Sequence, residues 1–273
     1  LAAQDAVLVT VHGHRGSVPR EAGAWMAVFA HSSVGTIGGG HLEWQAIAQA
    51  RANLQGKSKD TSPGNTLRRY ALGPSLGQCC GGEVVLSFES VTALDAARLQ
   101  AGFAHRRQAW PSIALFGGGH VGHALVQVLV PLPLRLTWID SRDEIFPESL
   151  PDQVSTVHSD PVQAAVADLT PGSLVLVMSF SHAEDLDVVA ACLLRQRARA
   201  DLPFIGLIGS HTKWAAFGHR LQARGFTVAE LAGVTCPIGV AGIAGKAPEV
   251  IAVAVAAQVL QVVGQLHARG GET

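Results

Sequence analysis

The chain has 273 residues, 48% hydrophobic and only 15% charged, which supports a sizeable core and excludes a disordered polymer. Its length predicts two domains. A formal net charge of −1 provides no basic field for nucleic acid or anionic lipid, so any ligand must be recognised locally.

In chain order, Ala6–Val11 reads as an apolar, β-branched strand, followed by turn residues from His12 to Arg20. Ala24–Phe29 and Val34–Ile37 are further strands. After Gly38-Gly39-Gly40, helical periodicity runs through Leu42, Ala46, Ile47 and Ala50 and predicts a helix over His41–Asn53. Lys57–Thr66 is polar and reads as a loop. Arg69–Leu72 and Val84–Phe88 are strands separated by the glycine-rich segment Gly73–Gly82, and Val91–Arg107 is a helix.

From Ser112 onward strands and helices alternate. The predicted strands are Ile113–Phe116, Leu134–Ile139, Leu174–Met178 and Phe204–Ile208. The predicted helices are His120–Val130, Pro161–Leu169, Asp185–Ala198, Lys213–Arg224 and Pro248–Leu266. Nearly continuous apolar strands between helices are the pattern of a parallel sheet covered on both faces. The expected class is therefore α/β: an N-terminal mixed α/β domain over residues 1–108 and a C-terminal Rossmann-like parallel-sheet domain over residues 109–273.

No basic segment leading into an apolar run marks a signal peptide at the N-terminus. The longest apolar stretch, Ile251–Val263, has 13 residues, against ~20 for a bilayer span, and is expected to be a buried helix. Cytoplasmic localisation follows as an expectation, because the cysteines show no disulfide spacing. Of the four, Cys79 and Cys80 are adjacent, too close for an unstrained bridge, and Cys192 sits in an apolar helix. Flanking glycines leave little side-chain mass to bury Cys79 and Cys80. Exposed thiols of this kind suit a soft metal or a persulfide. No second C-x-x-C and no histidine pair with further ligands supports zinc.

Gly117, Gly119 and Gly122 form G-x-G-x-x-G between a strand and a helix. Such glycines allow a tight turn and close backbone approach to a phosphate at a helix N-terminus. The candidate cofactor-binding residues are Gly117, Gly118, Gly119, His120 and Gly122, with Asp140 eighteen residues beyond Gly122, where an acid can accept from a ribose. Arg142 suits an NADP phosphate. His182 suits a base or a helix cap. A second glycine loop, Gly38-Gly-Gly-His-Leu-Glu43, leads into a helix in the same way and adds Gly39 and Gly40 as candidates. Glu43 there is equally explained as a favourable first-turn charge. Arg15 and Arg20 flank a short turn that suits an anionic ligand or solvent. Cys236-Pro-Ile-Gly239, followed by Gly242 to Lys246, suits an anion or metal complex.

Together these segments resemble the XdhC family, accessory proteins for maturation of bacterial xanthine dehydrogenase. The resemblance rests on Gly16-Ser-Val-Pro-Arg20, Gly35-Thr-Ile-Gly-Gly-Gly-His-Leu-Glu43, Leu76-Gly-Gln-Cys-Cys-Gly-Gly82, Phe116-Gly-Gly-Gly-His-Val-Gly122, Gly206-Leu-Ile-Gly-Ser210 with Lys213, and Cys236-Pro-Ile-Gly239. It implies a chaperone rather than a catalyst. Such a protein binds the molybdenum cofactor (molybdopterin), protects it during sulfuration by a cysteine desulfurase, and delivers it to apo-xanthine dehydrogenase. The resemblance further implies Cys79 and Cys80 near the metal, and a homodimer is compatible with it. Nucleic acid and membrane are not expected partners. Two other classes compete: an NAD(P)-dependent oxidoreductase using the Rossmann loop, and a metal-trafficking scaffold in which that loop binds nothing.

Overall fold

A computed structural model of the chain describes residues 4–56, 65–72 and 82–270. It divides into two compact units, Leu1–Phe103 and Ala104–Thr273.

The first unit is built on an antiparallel sheet of β1 (Ala6–Arg15), β2 (Trp25–Val28), β3 (Ser33–Gly35), β4 (Thr66–Ala71) and β5 (Glu83–Val91), in the order β3-β2-β1-β5-β4. One face carries Val7, Val9, Val11, Met26, Val28, Val84, Leu86 and Phe88. Helix α1 (Gly40–Leu54) lays Leu42, Ala46 and Ala50 against it, a spacing of four that keeps them on one side of the helix. β1 runs four residues beyond the predicted strand. A bulge between Val11 and Gly13 lets pairing resume at Gly13↔Val85 and continue to Arg15↔Glu83, which the polar sequence His12–Arg15 concealed. The predicted helix from Val91 starts later. Val91 ends β5, Thr92 and Asp95 form a capping box on a short 3-10 turn, and α2 covers Ala96–Gln108.

The second unit has six parallel strands: β6 (Ser112–Phe116), β7 (Arg135–Asp140), β8 (Val154–His158), β9 (Leu174–Val177), β10 (Phe204–Leu207) and β11 (Val234–Thr235). Their order is β11-β10-β9-β6-β7-β8. Counted from β6, this is the 3-2-1-4-5-6 order of a doubly wound dinucleotide-type sheet. Helices α3 (His120–Leu129) and α7 (Pro248–Gly270) cover one face through Leu125, Leu129, Ala252, Val255 and Val259. Helices α4 (His182–Arg199) and α5 (His211–Ala223) cover the other through Val188, Val189, Cys192, Leu193, Phe217 and Leu221. Strands buried on both faces read as unbroken apolar runs, and β9 and β10 are buried at every position.

Three elements were not expected: the polar edge strand β8, the two-residue β11, and α6 (Val228–Leu231), a single turn held by the Thr227–Glu230 capping box. Pro161–Leu169 is a 3-10 segment over Val162–Asp168 rather than an α-helix. The 13-residue apolar stretch underestimates α7. The helix has 23 residues and is long and apolar enough, by length and composition, to cross a bilayer. Its inward residues Ala252, Val255, Ala256 and Val259 are nevertheless buried in the core of the Rossmann unit.

Candidate functional site

The strand order reverses between β6 and β9, so their connections leave the sheet in opposite directions and open a crevice at the carboxyl ends of the strands. Gly117–Gly119 follow β6 into that crevice. Gly117 has φ 127°, and a Cβ there would lie 1.9 Å from the Met178 carbonyl oxygen. At Gly122 a Cβ would lie 2.1 Å from the carbonyl oxygen of Gly117. That same oxygen accepts a 3.0 Å bond from Nε1 of the fully buried Trp138. These two glycines therefore serve packing. Gly119 differs: no atom lies within 4 Å of a Cβ built on it, so its outer side is open.

The loop's amides are unequally available. Gly117 N–H donates to the Ile139 carbonyl at 2.8 Å, and Gly118 N–H donates to Asp140 Oδ2 at 2.5 Å. Gly119 is the N-cap of α3 and makes no side-chain cap, and the helix has no acid in its first turn. The N–H groups of Gly119, His120, Val121 and Gly122 precede the first intrahelical bond, His123 N–H to the Gly119 carbonyl. Neighbouring helices end otherwise. Ser181 caps α4, which also carries Glu184 and Asp185 in its first turn, and Ser210 caps α5. No side chain of α3 itself therefore caps its N-terminus or offsets its dipole there. Of the Gly117–Gly122 amides expected to face a phosphate, those of Gly117 and Gly118 are engaged within the protein, and those of Gly119–Gly122 precede the first helical bond.

Asp140 was expected to face a ribose. Instead it is 2% exposed and its carboxylate is saturated from within. Oδ1 accepts from Arg142 N–H at 2.9 Å and Nε–H at 2.8 Å, and Oδ2 accepts from Gly118 N–H and from Arg142 Nη2 at 2.9 Å. Burial opposes ionisation, but these bonds outweigh it and hold the carboxyl below the ordinary aspartate range. A depressed carboxylate stabilises the fold above the unfolded pKa of ~3.9 and loses that contribution as pH falls through its folded value. Asp140→Asn is therefore expected to lower stability at pH 7 by about 1–3 kcal/mol. In urea titrations the gap to wild type should narrow steadily below about pH 4. A gap that stays constant to pH 2 would contradict this assignment.

A second network lies at the ends of β9 and β10. Asp185, 2% exposed, accepts from Ser179 N–H (2.8 Å), Ser179 Oγ (2.6 Å) and Lys213 Nζ (2.6 Å). Lys213 also donates to the Ile208 carbonyl at 2.9 Å. The Cys236 thiol, half-buried at the end of β11, sits near the Ser210 carbonyl. Burial pushes its pKa up, Lys213 draws it down and Asp185 raises it again.

In the first unit the second glycine loop is built differently. Gly38, Gly39 and Gly40 all have positive φ, and a Cβ on Gly38 would meet Pro19 at 2.4 Å. Glu43 Oε2 accepts from Thr36 Oγ1, from Ile37 N–H at 3.0 Å and from Gly39 N–H at 3.0 Å. Burial disfavours its charge, yet hydrogen bonds from Thr36, Gly39, Ile37 and Gly38 prevail and keep its pKa low. A carboxylate already fills the position an anion would take. The amide of Gly39, a candidate cofactor-binding residue from the sequence, is thus engaged by Glu43, and Gly40, the other candidate, forms the first residue of α1.

Against this geometry, comparison with known proteins is decisive for ancestry. Residues 113–259 match the family model described as the XdhC Rossmann domain, and residues 1–70 match that of the XdhC and CoxI family. The chain belongs to the XdhC family. The uncharacterised protein YqeB of Escherichia coli K12 is 28% identical over 251 residues, which are 91% of this chain and 42% of that protein. The chain thus spans less than half the length of that curated relative. The crystal structure of a xanthine dehydrogenase from Bacillus halodurans has a TM-score of 0.73 at 18% identity, covering 96% of this chain and 92% of that one. At that identity the likeness concerns the fold.

Among the other residues singled out in this XdhC chain, Cys79 and Cys80 lie outside the described residues. Leu72 N–H donates to the Gly82 carbonyl at 2.7 Å, and a Cβ on Gly82 would meet the Ser17 carbonyl at 2.4 Å, beside the Arg15–Arg20 turn. Cys192 is fully buried, its thiol pushed up to about 12 by burial, and is a core residue. His182 is the first residue of α4, its ring edge-on to Phe217, while Ser181 is the cap. His123 packs edge-on against Trp138. Among the described residues no group of three or more His, Cys, Asp or Glu side chains is arranged to hold a metal ion. The Arg142–Asp140 lock and the Asp185–Lys213 pair were missed as interactions. The spacing Asp140-x-Arg142 was visible, but Lys213 and Asp185 are brought together only by the sheet order.

Proposed function

We propose that this XdhC protein is a maturation factor that holds the molybdenum cofactor and passes it to apo-xanthine dehydrogenase. The observation that carries this reading is the uncapped, open N-terminus of α3 at the sheet's switch point, which fits the terminal phosphate of molybdopterin. Gly119, His120, Val121 and Gly122 would hold that phosphate through their amides. Gly117, Trp138 and Asp140 would keep the loop in shape. Cys79 and Cys80 are the proposed soft ligands toward molybdenum, and a cysteine desulfurase the proposed sulfur source. When bound, the cofactor supplies the molybdenum centre of the recipient enzyme, and the contribution of this chain is binding, shielding and delivery.

Membership of the XdhC family supports the maturation role. The oxidoreductase reading requires Asp140 as a ribose acceptor, and that carboxylate is fully engaged by Gly118 and Arg142. The test is to incubate the protein with molybdenum cofactor, isolate the complex by gel filtration, and add it to apo-xanthine dehydrogenase under anaerobic conditions. Activity restored in proportion to the complex is expected. Cofactor that elutes free of the protein, with no activation above a protein-free control, would overturn the proposal. Cys79→Ala and Cys80→Ala taken through the same assay test the thiols, and full retention and activation by both would remove them from the site.

A further inference from the structure

Phe180 is 65% exposed, although it directly precedes the N-cap of an 18-residue helix in the Rossmann core. An apolar residue at that position ordinarily packs on the fourth residue of the helix. Here that residue is Asp185, which is turned to Ser179 and Lys213, so the ring has no such partner. It lies instead against Arg142, whose guanidinium carbon is 4.5 Å from the ring centroid.

Neither half of this pair is loose. Arg142 is forked onto Asp140 through Nε and Nη2, which leaves Nη1 outside any hydrogen bond among the described residues. Glu184 ties the two loops together: Oε1 accepts from Ser141 Oγ at 2.7 Å and Oε2 from Phe180 N–H at 3.2 Å. β7 and β9 flank β6, so Arg142 and Phe180 meet across the carboxyl end of β6, where the glycine loop begins. The result is an exposed aromatic ring backed by a tethered guanidinium, at the end of the sheet where the glycine loop leads into the open α3 N-terminus. Aromatic faces and guanidinium planes both stack planar heterocycles.

The geometry points to a stacking platform, formed by Arg142 and Phe180, for the planar heteroaromatic ring of a ligand whose phosphoester sits on the α3 N-terminus. This rests on the function proposed above and specifies its ring-binding residues. A pterin and a nucleobase share the required chemistry. Asp140 is then a positioning residue that holds the Arg142 guanidinium against the Phe180 ring.

The experiment measures binding of three probes, 6-hydroxymethylpterin phosphate by its ring fluorescence and cytidine 5′-monophosphate and inorganic phosphate by calorimetry. Wild type, Phe180→Ala and Phe180→Tyr are compared, with thermal melts confirming that each folds. Phe180→Ala is expected to weaken the ring-bearing probe about tenfold, the loss of one aromatic stacking partner. Phe180→Tyr should restore binding, and inorganic phosphate should bind all three alike. Ring-bearing probes that bind Phe180→Ala as tightly as wild type would overturn the platform. Intact molybdenum cofactor retained undiminished by Phe180→Ala would also overturn it, while leaving the maturation role standing. Phe180-dependent binding of cytidine monophosphate without binding of the pterin would uphold the platform and remove the pterin from it.

Discussion

Gly117→Ala is expected to destabilise the protein by about 4 kcal/mol, near the upper end for a single added methyl group. Two costs combine. The residue has φ 127°, a region closed to side chains, and its Cβ would overlap the Met178 carbonyl oxygen at 1.9 Å. Relief requires β6 and β9 to move apart at the place where Met178 N–H bonds the Phe116 carbonyl at 2.8 Å. Gly119→Ala is the control. It adds the same methyl into open space at φ −77° and should change stability by less than about 1 kcal/mol. Urea denaturation of the two variants measures the contrast, and equal midpoints would show that the loop is softer than its geometry implies.

The second large effect belongs to Asp185. Its removal leaves the Lys213 ammonium, with a side chain 12% exposed, without its counter-charge, and deprives Ser179 of its acceptor. Breaking a buried pair from one side typically costs about 3–5 kcal/mol, because the surviving charge stays desolvated. Asp185→Ala should fall in that range. Asp185→Leu combined with Lys213→Met should recover much of the loss, since replacing both charges removes the penalty together with the attraction. A double variant whose loss equals the sum of the two single losses would show that the charges are not coupled and would contradict this account.

How much of this was legible in the sequence follows from the range of the interactions. The Rossmann unit announced itself because a strand buried on both faces must be apolar throughout, as Leu174–Val177 and Phe204–Leu207 are. The glycine loop was equally visible, since Gly117 and Gly122 answer steric demands that no other residue meets. What each glycine does was not visible. The roles of Gly117 and Gly122 in packing, and of Gly119 in leaving space, depend on Met178 and Trp138, which are distant in sequence. Asp140 was correctly placed at the end of its strand, yet its partners Gly118 and Arg142 decide that it braces the loop. Glu43 shows the reverse. The reading that treated it as a first-turn charge was available from sequence, and its bonds to Ile37, Gly39 and Thr36 are what fill the second loop. Edge elements such as β8 and β11 escaped because short or half-polar strands carry no periodic signal.

The most direct test of the central claim is Gly119→Asp. Aspartate is a favoured N-cap and its carboxylate compensates the α3 dipole, so the variant should fold with a melting temperature equal to or above that of wild type. The same carboxylate occupies the position assigned to the cofactor phosphate. Equilibrium binding of molybdenum cofactor, followed by molybdenum analysis after gel filtration, should be at least about tenfold weaker than in wild type. A well-folded Gly119→Asp protein that retains the cofactor with undiminished affinity would contradict the assignment of the phosphate to the α3 N-terminus.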